Sequence, residues 1–151
     1  MAQTVRTTGE GVELKRVFEA SRPRVFEAWT RPEWLKQWAA PGPLETPVAE
    51  VDLRVGGAYR MHMRAPDGTE HRVRGKYLEV DPPRRLVYTW SWETDDFESV
   101  VTVEFHERGA ATEIVLRHEG FPSADRRDRH EEGRTGCLEK FPAVLAAQGD
   151  R

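Results

Sequence analysis

The chain lacks several features that mark large classes of protein. It has 151 residues and a single cysteine, Cys137, which excludes an internal disulfide and a cysteine-based zinc site. No apolar run approaches the roughly 18 residues of a membrane-spanning helix, and the charged N-terminal residues do not resemble a signal peptide. We therefore expect a cytoplasmic protein without membrane insertion.

An excess of one charge is also lacking. The 23 Lys and Arg and the 26 Asp and Glu are interspersed and give a net charge of −3, so no basic surface for nucleic acid is expected. The chain has no HExxH motif and no glycine-rich loop that leads into a helix. The neighbouring residues His130, Glu131 and Glu132 would point in different directions on a helix. The sequence therefore predicts neither a metal nor a cofactor.

Large aromatic residues are what the chain has instead. Five Trp, six Phe and three Tyr favour a well-packed core over disorder. The length fits one domain, which we place at residues 12–148. The polar residues 1–11 predict a frayed start.

The hydrophobic pattern predicts a strand, two short helices, about six further strands and a long C-terminal helix. Residues 12–20 alternate apolar and polar, and Ser21 with Pro23 is typical of a helix start. A second short helix follows Pro32. The last helix begins near Ser123, and Pro142 predicts a kink near Phe141 or a fresh helical start.

The remaining strands show alternation with period two. The apolar positions of the first run from Ala49 through Val51 and Leu53 to Val55. In the strand at about 70–80 the parity changes from Tyr77 to Leu78, which predicts a β-bulge near Gly75. Short turns between successive strands imply an antiparallel meander with one apolar face.

These elements predict an α+β fold. A curved antiparallel sheet of about six to seven strands would surround the long C-terminal helix, with the two short helices after the first strand.

Seven sequence runs in this order carry a family resemblance. They are RPEWLKQW (31–38), GGAYRM (56–61), DG (67–68), GKYLEVDPPRRLVYTW (75–90), VTVEF (101–105), ATEIVL (111–116), and HEEG (130–133) with Leu138. Between residues 12 and about 145 the chain resembles the family named after the activator of the heat-shock protein 90 ATPase, in the START-like SRPBCC superfamily. The resemblance implies the helix-grip fold of the birch-pollen-allergen type. One position departs from the family pattern, because Arg134 stands where an aromatic residue, most often Trp, follows the glycine of the His-x-x-Gly motif.

The resemblance also implies a cavity between sheet and C-terminal helix that holds a lipid-, sterol- or polyketide-like molecule. Candidate lining residues are the inward strand positions and the inward stripe of the helix. They are Tyr59, Met61, Met63, Tyr77, Tyr88, Trp90, Trp92, Phe105, Leu116, His118, Arg134, Cys137 and Phe141.

Two other functions stay open from the sequence. A cyclase or hydrolase would need a converging pair of titratable groups, for which His118 and Glu79 are the candidates. A partner-binding module, such as a co-chaperone with a chaperone as its partner, would need no cavity. Pairing through exposed strands would give a homodimer, which the sequence does not decide.

Overall fold

An antiparallel sheet bent around a long helix organises the chain. A computed structural model describes residues 3–7, 11–94 and 97–149. The strands are β1 Gln3–Thr7, β2 Gly11–Phe18, β3 Glu45–Val51, β4 Ala58–Arg64, β5 Glu70–Asp81, β6 Arg85–Trp92, β7 Ser99–Arg108 and β8 Ala111–Glu119. The helices are α1 Arg22–Thr30, α2 Pro32–Trp38 and α3 Ala124–Gly149. The predicted helix-grip fold is confirmed.

The strand order shows that the end of the meander pairs with the N-terminal strands. It is β1-β2-β8-β7-β6-β5-β4-β3, so the meander from β3 to β8 returns to pair its last strand with β2. Leu14 lies opposite Leu116 in that pairing, and both are buried. One face of each central strand is apolar, and the strand register places these apolar faces on the side of the sheet that α3 covers.

The predicted frayed start is wrong for residues 3–7. They form β1, an edge strand in which Val5 lies opposite Leu14 of β2. Thr4, Val5 and Thr7 are β-branched, and β2 offers an open edge, so pairing outweighs the polar composition. Gly11, the last residue of the predicted start, begins β2, and residues 1–2 and 8–10 lie outside the described residues.

The two short helices confirm the predicted starts, with one difference. Ser21 has extended backbone angles before α1, as an N-cap requires, but its side chain makes no capping hydrogen bond. Pro23 and Pro32 occupy first-turn positions, where a missing N–H costs nothing. Within the described residues, no helix has an apolar stretch of the length and hydropathy that crossing a bilayer requires.

Two predictions about β3 and β5 are wrong in detail. β3 ends at Val51, so Leu53 and Val55 lie in the following turn and are exposed. The irregularity in β5 falls between Tyr77 and Glu79, not at Gly75. Leu78 is the extra residue and is consequently exposed.

Helix α3 continues through Pro142, so the predicted fresh helical start there is wrong. Proline has no N–H to donate to the carbonyl four residues earlier, at Leu138. Arg16 of β2 supplies the missing donor, because its Nη1 lies 2.8 Å from the Leu138 oxygen. The inward parity of Arg16 within an apolar strand face is thereby explained.

An aromatic cluster fills the space between α1, α2 and α3. Phe141 of α3 lies at its centre, with its ring centroid 4.8 Å from that of Phe18, 5.6 Å from Trp29 and 4.8 Å from Trp38. Trp38 also donates its Nε1 hydrogen to the Ala28 carbonyl at 2.9 Å. This cluster fills the end of the fold where α1 and α2 meet the C-terminal half of α3.

Candidate functional site

A cavity of about 520 Å³ lies between the N-terminal half of α3 and the sheet. Strands β4, β5 and β6 form one wall, α3 the opposite wall, and the loop after α2 the rim. The lining residues are Ala39, Pro41, Leu44, Met63, His71, Trp90, Trp92, Thr94, Arg126, Arg129, His130, Gly133, Arg134 and Cys137. A volume of this size is in the ordinary range for small-molecule sites.

The rim loop is fastened to α3. Lys140 donates to the Ala40 carbonyl and, at 3.1 Å, to the Leu44 carbonyl. The Cys137 thiol donates to the Ala39 carbonyl. A methyl group on Gly136 would come within 2.8 Å of Pro41 Cβ, so the absence of a side chain there permits the close approach. The rim is therefore held in place without a ligand.

Tyrosines largely fill a second, inner space beside the cavity. Only about 30 Å³ remains there, lined in part by Tyr59, Tyr77 and Tyr88, and this is room for about one water molecule. Trp29 Nε1 donates to the Tyr88 hydroxyl at 3.2 Å, and the Tyr59 hydroxyl donates to the Thr89 carbonyl. Burial is the main cause that raises the pKa of all three phenols, so they stay neutral and act as hydrogen-bonding groups rather than bases.

Arg134 lies where the two spaces meet, because it lines both. Its guanidinium carbon lies 4.1 Å from the Trp90 ring centroid, a close cation–π contact. Its Nε and Nη2 lie 3.4 and 3.3 Å from His118 Nδ1. Among the described residues, no carboxylate forms an ion pair with it. Arg134, the position that departs from the family pattern, thus places a cation at the edge of the cavity.

His118 orients that guanidinium through a chain of hydrogen bonds. Ser99 Oγ donates to the Trp90 carbonyl at 3.1 Å, which leaves the oxygen to accept from His118 Nε2 at 2.7 Å. His118 Nδ1 is then the unprotonated nitrogen that faces Arg134. Burial, then the Arg134 charge, then His130 hold the pKa of His118 well below its usual range. His118 is therefore a neutral acceptor that positions Arg134.

These hydrogen bonds argue against Ser99 as a catalytic nucleophile. Ser99 and His118 are both fully buried, and the serine proton points to a backbone carbonyl instead of the imidazole. The second imidazole nitrogen faces a cation, where a catalytic triad would place a carboxylate.

The protonation of His118 predicts a pH dependence of stability. The unfolded imidazole takes up a proton near pH 6.5, whereas the folded one does so only at much lower pH. Stability contributed by this group is therefore complete above pH 6.5 and is lost as the pH falls, by up to about 1.4 kcal/mol per pH unit. In urea unfolding between pH 8 and pH 5, His118→Gln should show a shallower decline than the wild type. Parallel declines for the two proteins would contradict the assignment.

His130 joins α3 to the cavity wall. It donates from Nδ1 to the Arg126 carbonyl at 2.7 Å, and its Nε2 accepts from Trp92 Nε1 at 2.9 Å. Trp92 is thus held at the cavity wall by a residue one turn from Arg134 on the same helix.

Cys137 also lines the cavity, but its thiol is a weak nucleophile. Burial raises its pKa to about 11, against smaller opposing effects of Arg134 and Lys140. At neutral pH the side chain is a protonated, mainly apolar part of the wall.

The structure distributes the predicted site residues over three places. Met63, Trp90, Trp92, Arg134 and Cys137 line the cavity. Tyr59, Met61, Tyr77 and Tyr88 line the inner space. Phe105, Leu116, His118 and Phe141 are fully buried and line neither space. The inward parity of these four residues indicated burial correctly, but strand parity carries no information on depth.

Several cavity residues were not predicted from the sequence. Arg126, Arg129 and His130 belong to a charged run that is typical of a solvated helix face, and His71 lies on the same strand as exposed charged residues. The rim residues Pro41 and Leu44 lie in the loop after α2, which contains the turn-forming run Pro41-Gly42-Pro43. Only the fold brings these groups together.

The suggested acid–base pair does not form. Glu79 is half-exposed and lies 3.1 Å from Arg85 in an ion pair, whereas His118 is buried beside Arg134. Across the described residues there is also no cluster of three or more potential metal ligands.

Comparison with known proteins agrees with this architecture. A family model described as "Activator of Hsp90 ATPase homolog 1-like protein" matches residues 19–146. No curated protein matches the chain in sequence.

Solved structures resemble the chain over most of its length. Protein CV1439 from Chromobacterium violaceum is 29% identical, with a TM-score of 0.85 over 90% of this chain and 96% of that one. The AHSA1 protein from Silicibacter pomeroyi is 29% identical, with a TM-score of 0.82 over 91% of this chain and 99% of that one. CalU16 from Micromonospora echinospora, 24% identical, shares the fold with a TM-score of 0.70 over 99% of this chain and 87% of that one.

Proposed function

The chain belongs to the family of activator of Hsp90 ATPase homolog 1-like proteins, and on that basis we propose that it binds an apolar small molecule between α3 and the sheet. The observation that carries the proposal is the cavity of about 520 Å³. The space is a concave cleft with mostly apolar walls, as small-molecule sites are, and hydrogen bonds to α3 hold its rim in place.

The walls favour an apolar, partly flat ligand. Trp90 and Trp92 meet edge to face, with ring centroids 5.5 Å apart, and Met63 lies in the same wall. Aromatic rings supply large contact area, and the flexible thioether of methionine adapts to different shapes. Burial of apolar ligand surface here would contribute roughly 25 cal/mol per Å² before the entropic cost of binding.

Binding without chemistry is the mode that these side chains favour. The tyrosines are neutral, Cys137 is protonated, and His118 is occupied on both nitrogens. The ligand would be sequestered from water and released unchanged.

Two methionines of β4 provide the test. Met63 lines the cavity, whereas Met61, two residues away and equally buried, lines only the inner space. With the uncharged fluorescent probe N-phenyl-naphthylamine, Met63→Ala should weaken binding about fivefold, since roughly 1 kcal/mol of apolar contact is lost.

The control variants separate a local effect from a loss of stability. Met61→Ala costs similar packing in the core but should leave probe affinity within about twofold. Arg60→Ala on the exposed side of β4 should leave both affinity and stability unchanged. Equal weakening in all three variants, or no probe binding to the wild type, would refute the proposed site.

A further inference from the structure

The charged side chains among the described residues that line the cavity are all basic. Although the whole chain has a net charge of −3, the described lining residues include three arginines and two histidines but no aspartate or glutamate. The arginines are Arg126, Arg129 and Arg134. A ligand that enters here meets an apolar wall on the sheet side and cationic groups on the helix side.

The arginines of this protein differ in how their charge is compensated: the partly buried Arg16 and Arg24 donate to backbone carbonyls, and others pair with carboxylates. Arg85 and Arg117 each lie 2.8 Å from a carboxylate, that of Glu104 and that of Glu13 respectively. Arg129, on the same helix as Arg134, pairs with Asp125 at 3.0 Å. Among the described residues Arg134 has no such partner. A half-buried guanidinium is stabilised by a counter-ion, and here the site has room for one.

The guanidinium is also held in place before any ligand arrives. Trp90 supports its face, and His118 accepts from its Nε and Nη2. A guanidinium carries five N–H donors, and one of those of Arg134 is taken by the Tyr88 hydroxyl, so hydrogens still remain for a further acceptor. A planar, fixed guanidinium matches the geometry of a carboxylate or sulfonate.

We propose that the ligand is an amphipathic organic acid, whose acidic head group binds Arg134 and whose apolar body lies against Met63, Trp90 and Trp92. This inference rests on the proposed function and specifies its ligand class. His118 acts as a positioning residue, because its neutral Nδ1 holds the guanidinium at the boundary between the two spaces.

Two fluorescent probes with the same apolar body test this directly. N-phenyl-naphthylamine is uncharged, and anilinonaphthalene sulfonate adds one anionic group. The wild type should bind the sulfonate about tenfold more tightly than the neutral probe, as expected for one charge-assisted contact. Arg134→Met should abolish this preference while neutral-probe affinity stays within about twofold. Arg134→Lys should retain part of it.

A matched control and a second ligand pair guard against general charge effects. Arg60→Met removes an equal charge from the exposed side of β4, where Arg60 pairs with Glu50 and does not line the cavity, so the preference should persist. Decanoate should displace the neutral probe at lower concentration than decanol from the wild type, and not from Arg134→Met. Circular dichroism should show that all variants are folded.

The outcomes separate the two proposals. If the neutral probe binds and the sulfonate binds no better, or if Arg134→Met retains the preference, the acidic head group is refuted and the cavity stands. If neither probe binds to the folded wild type, the proposed function itself fails.

Discussion

Phe141→Ala is expected to lower the free energy of unfolding by about 4 kcal/mol, the largest effect of any single truncation considered. Phe141 is completely buried and contacts the rings of Phe18, Trp29 and Trp38. Removal of the Phe141 side chain would leave a cavity in the core where β2, α1, α2 and α3 meet. Since the rigid aromatic neighbours cannot move in to fill this cavity, most of the expected loss in the free energy of unfolding should be observed.

Urea unfolding measures this effect against two controls. Phe141→Leu keeps much of the volume and should lose less than half as much. Leu78→Ala truncates the half-exposed residue of the β5 bulge and should cost under about 0.5 kcal/mol. A loss below about 1.5 kcal/mol for Phe141→Ala would show that the aromatic cluster is not the centre of the core.

Gly75→Ala is expected to cost about 3 kcal/mol, near the upper end for overpacking. A Cβ at Gly75 would lie 2.0 Å from the Thr89 carbonyl oxygen and 2.7 Å from Tyr59 Cε1. The carbonyl is backbone of the adjacent strand β6 and cannot move independently. Insertion of a methyl group must therefore shift β5 or β6, and with them the hydrogen bond from Tyr59 to Thr89.

Gly133→Ala provides the matched comparison. A methyl group there would meet no atom within 4 Å, and Gly133 lies inside α3. Alanine favours a helix over glycine by about 1 kcal/mol, so this variant should be neutral or more stable. If Gly75→Ala unfolded at the wild-type urea concentration, the close approach of β5, β6 and Tyr59 would be wrong.

The overall fold could be predicted from the sequence because the spacing of apolar residues differs between strands and helices. Alternation in β6, with Leu86, Tyr88 and Trp90 on one face, and the helical stripe of Leu138, Phe141 and Leu145 suffice to place a helix against a meander. The β5 bulge was misplaced by a few residues, because period alone shows that parity changes but not which residue is extra.

The site was less predictable, because a cavity is defined by what remains unfilled. Tyr59 and Met63 share one face of β4, yet one lines the nearly filled inner space and the other the cavity. The difference depends on α2 and Trp38, which cover one end of the sheet only. The helix residues Arg126 and His130 carry the polarity of a solvated face, and only the packing of α3 opposite the sheet brings them to the cavity.

Arg134 shows what a single unusual residue can indicate. The resemblance marks Arg134 as a departure from the family pattern, but the sequence does not show that His118 and Trp90 fix the orientation of its guanidinium. Those contacts join β6, β8 and α3, which are distant in the chain.

Native mass spectrometry of the protein with excess N-phenyl-naphthylamine tests the central claim, a single ligand cavity between α3 and the sheet, most directly. We expect one probe molecule per chain, lost on denaturation and absent from Met63→Trp, whose larger side chain would occupy the cavity. The same spectra report whether the protein is a monomer or a dimer. No bound probe, or a spread of adducts that Met63→Trp leaves unchanged, would contradict the claim.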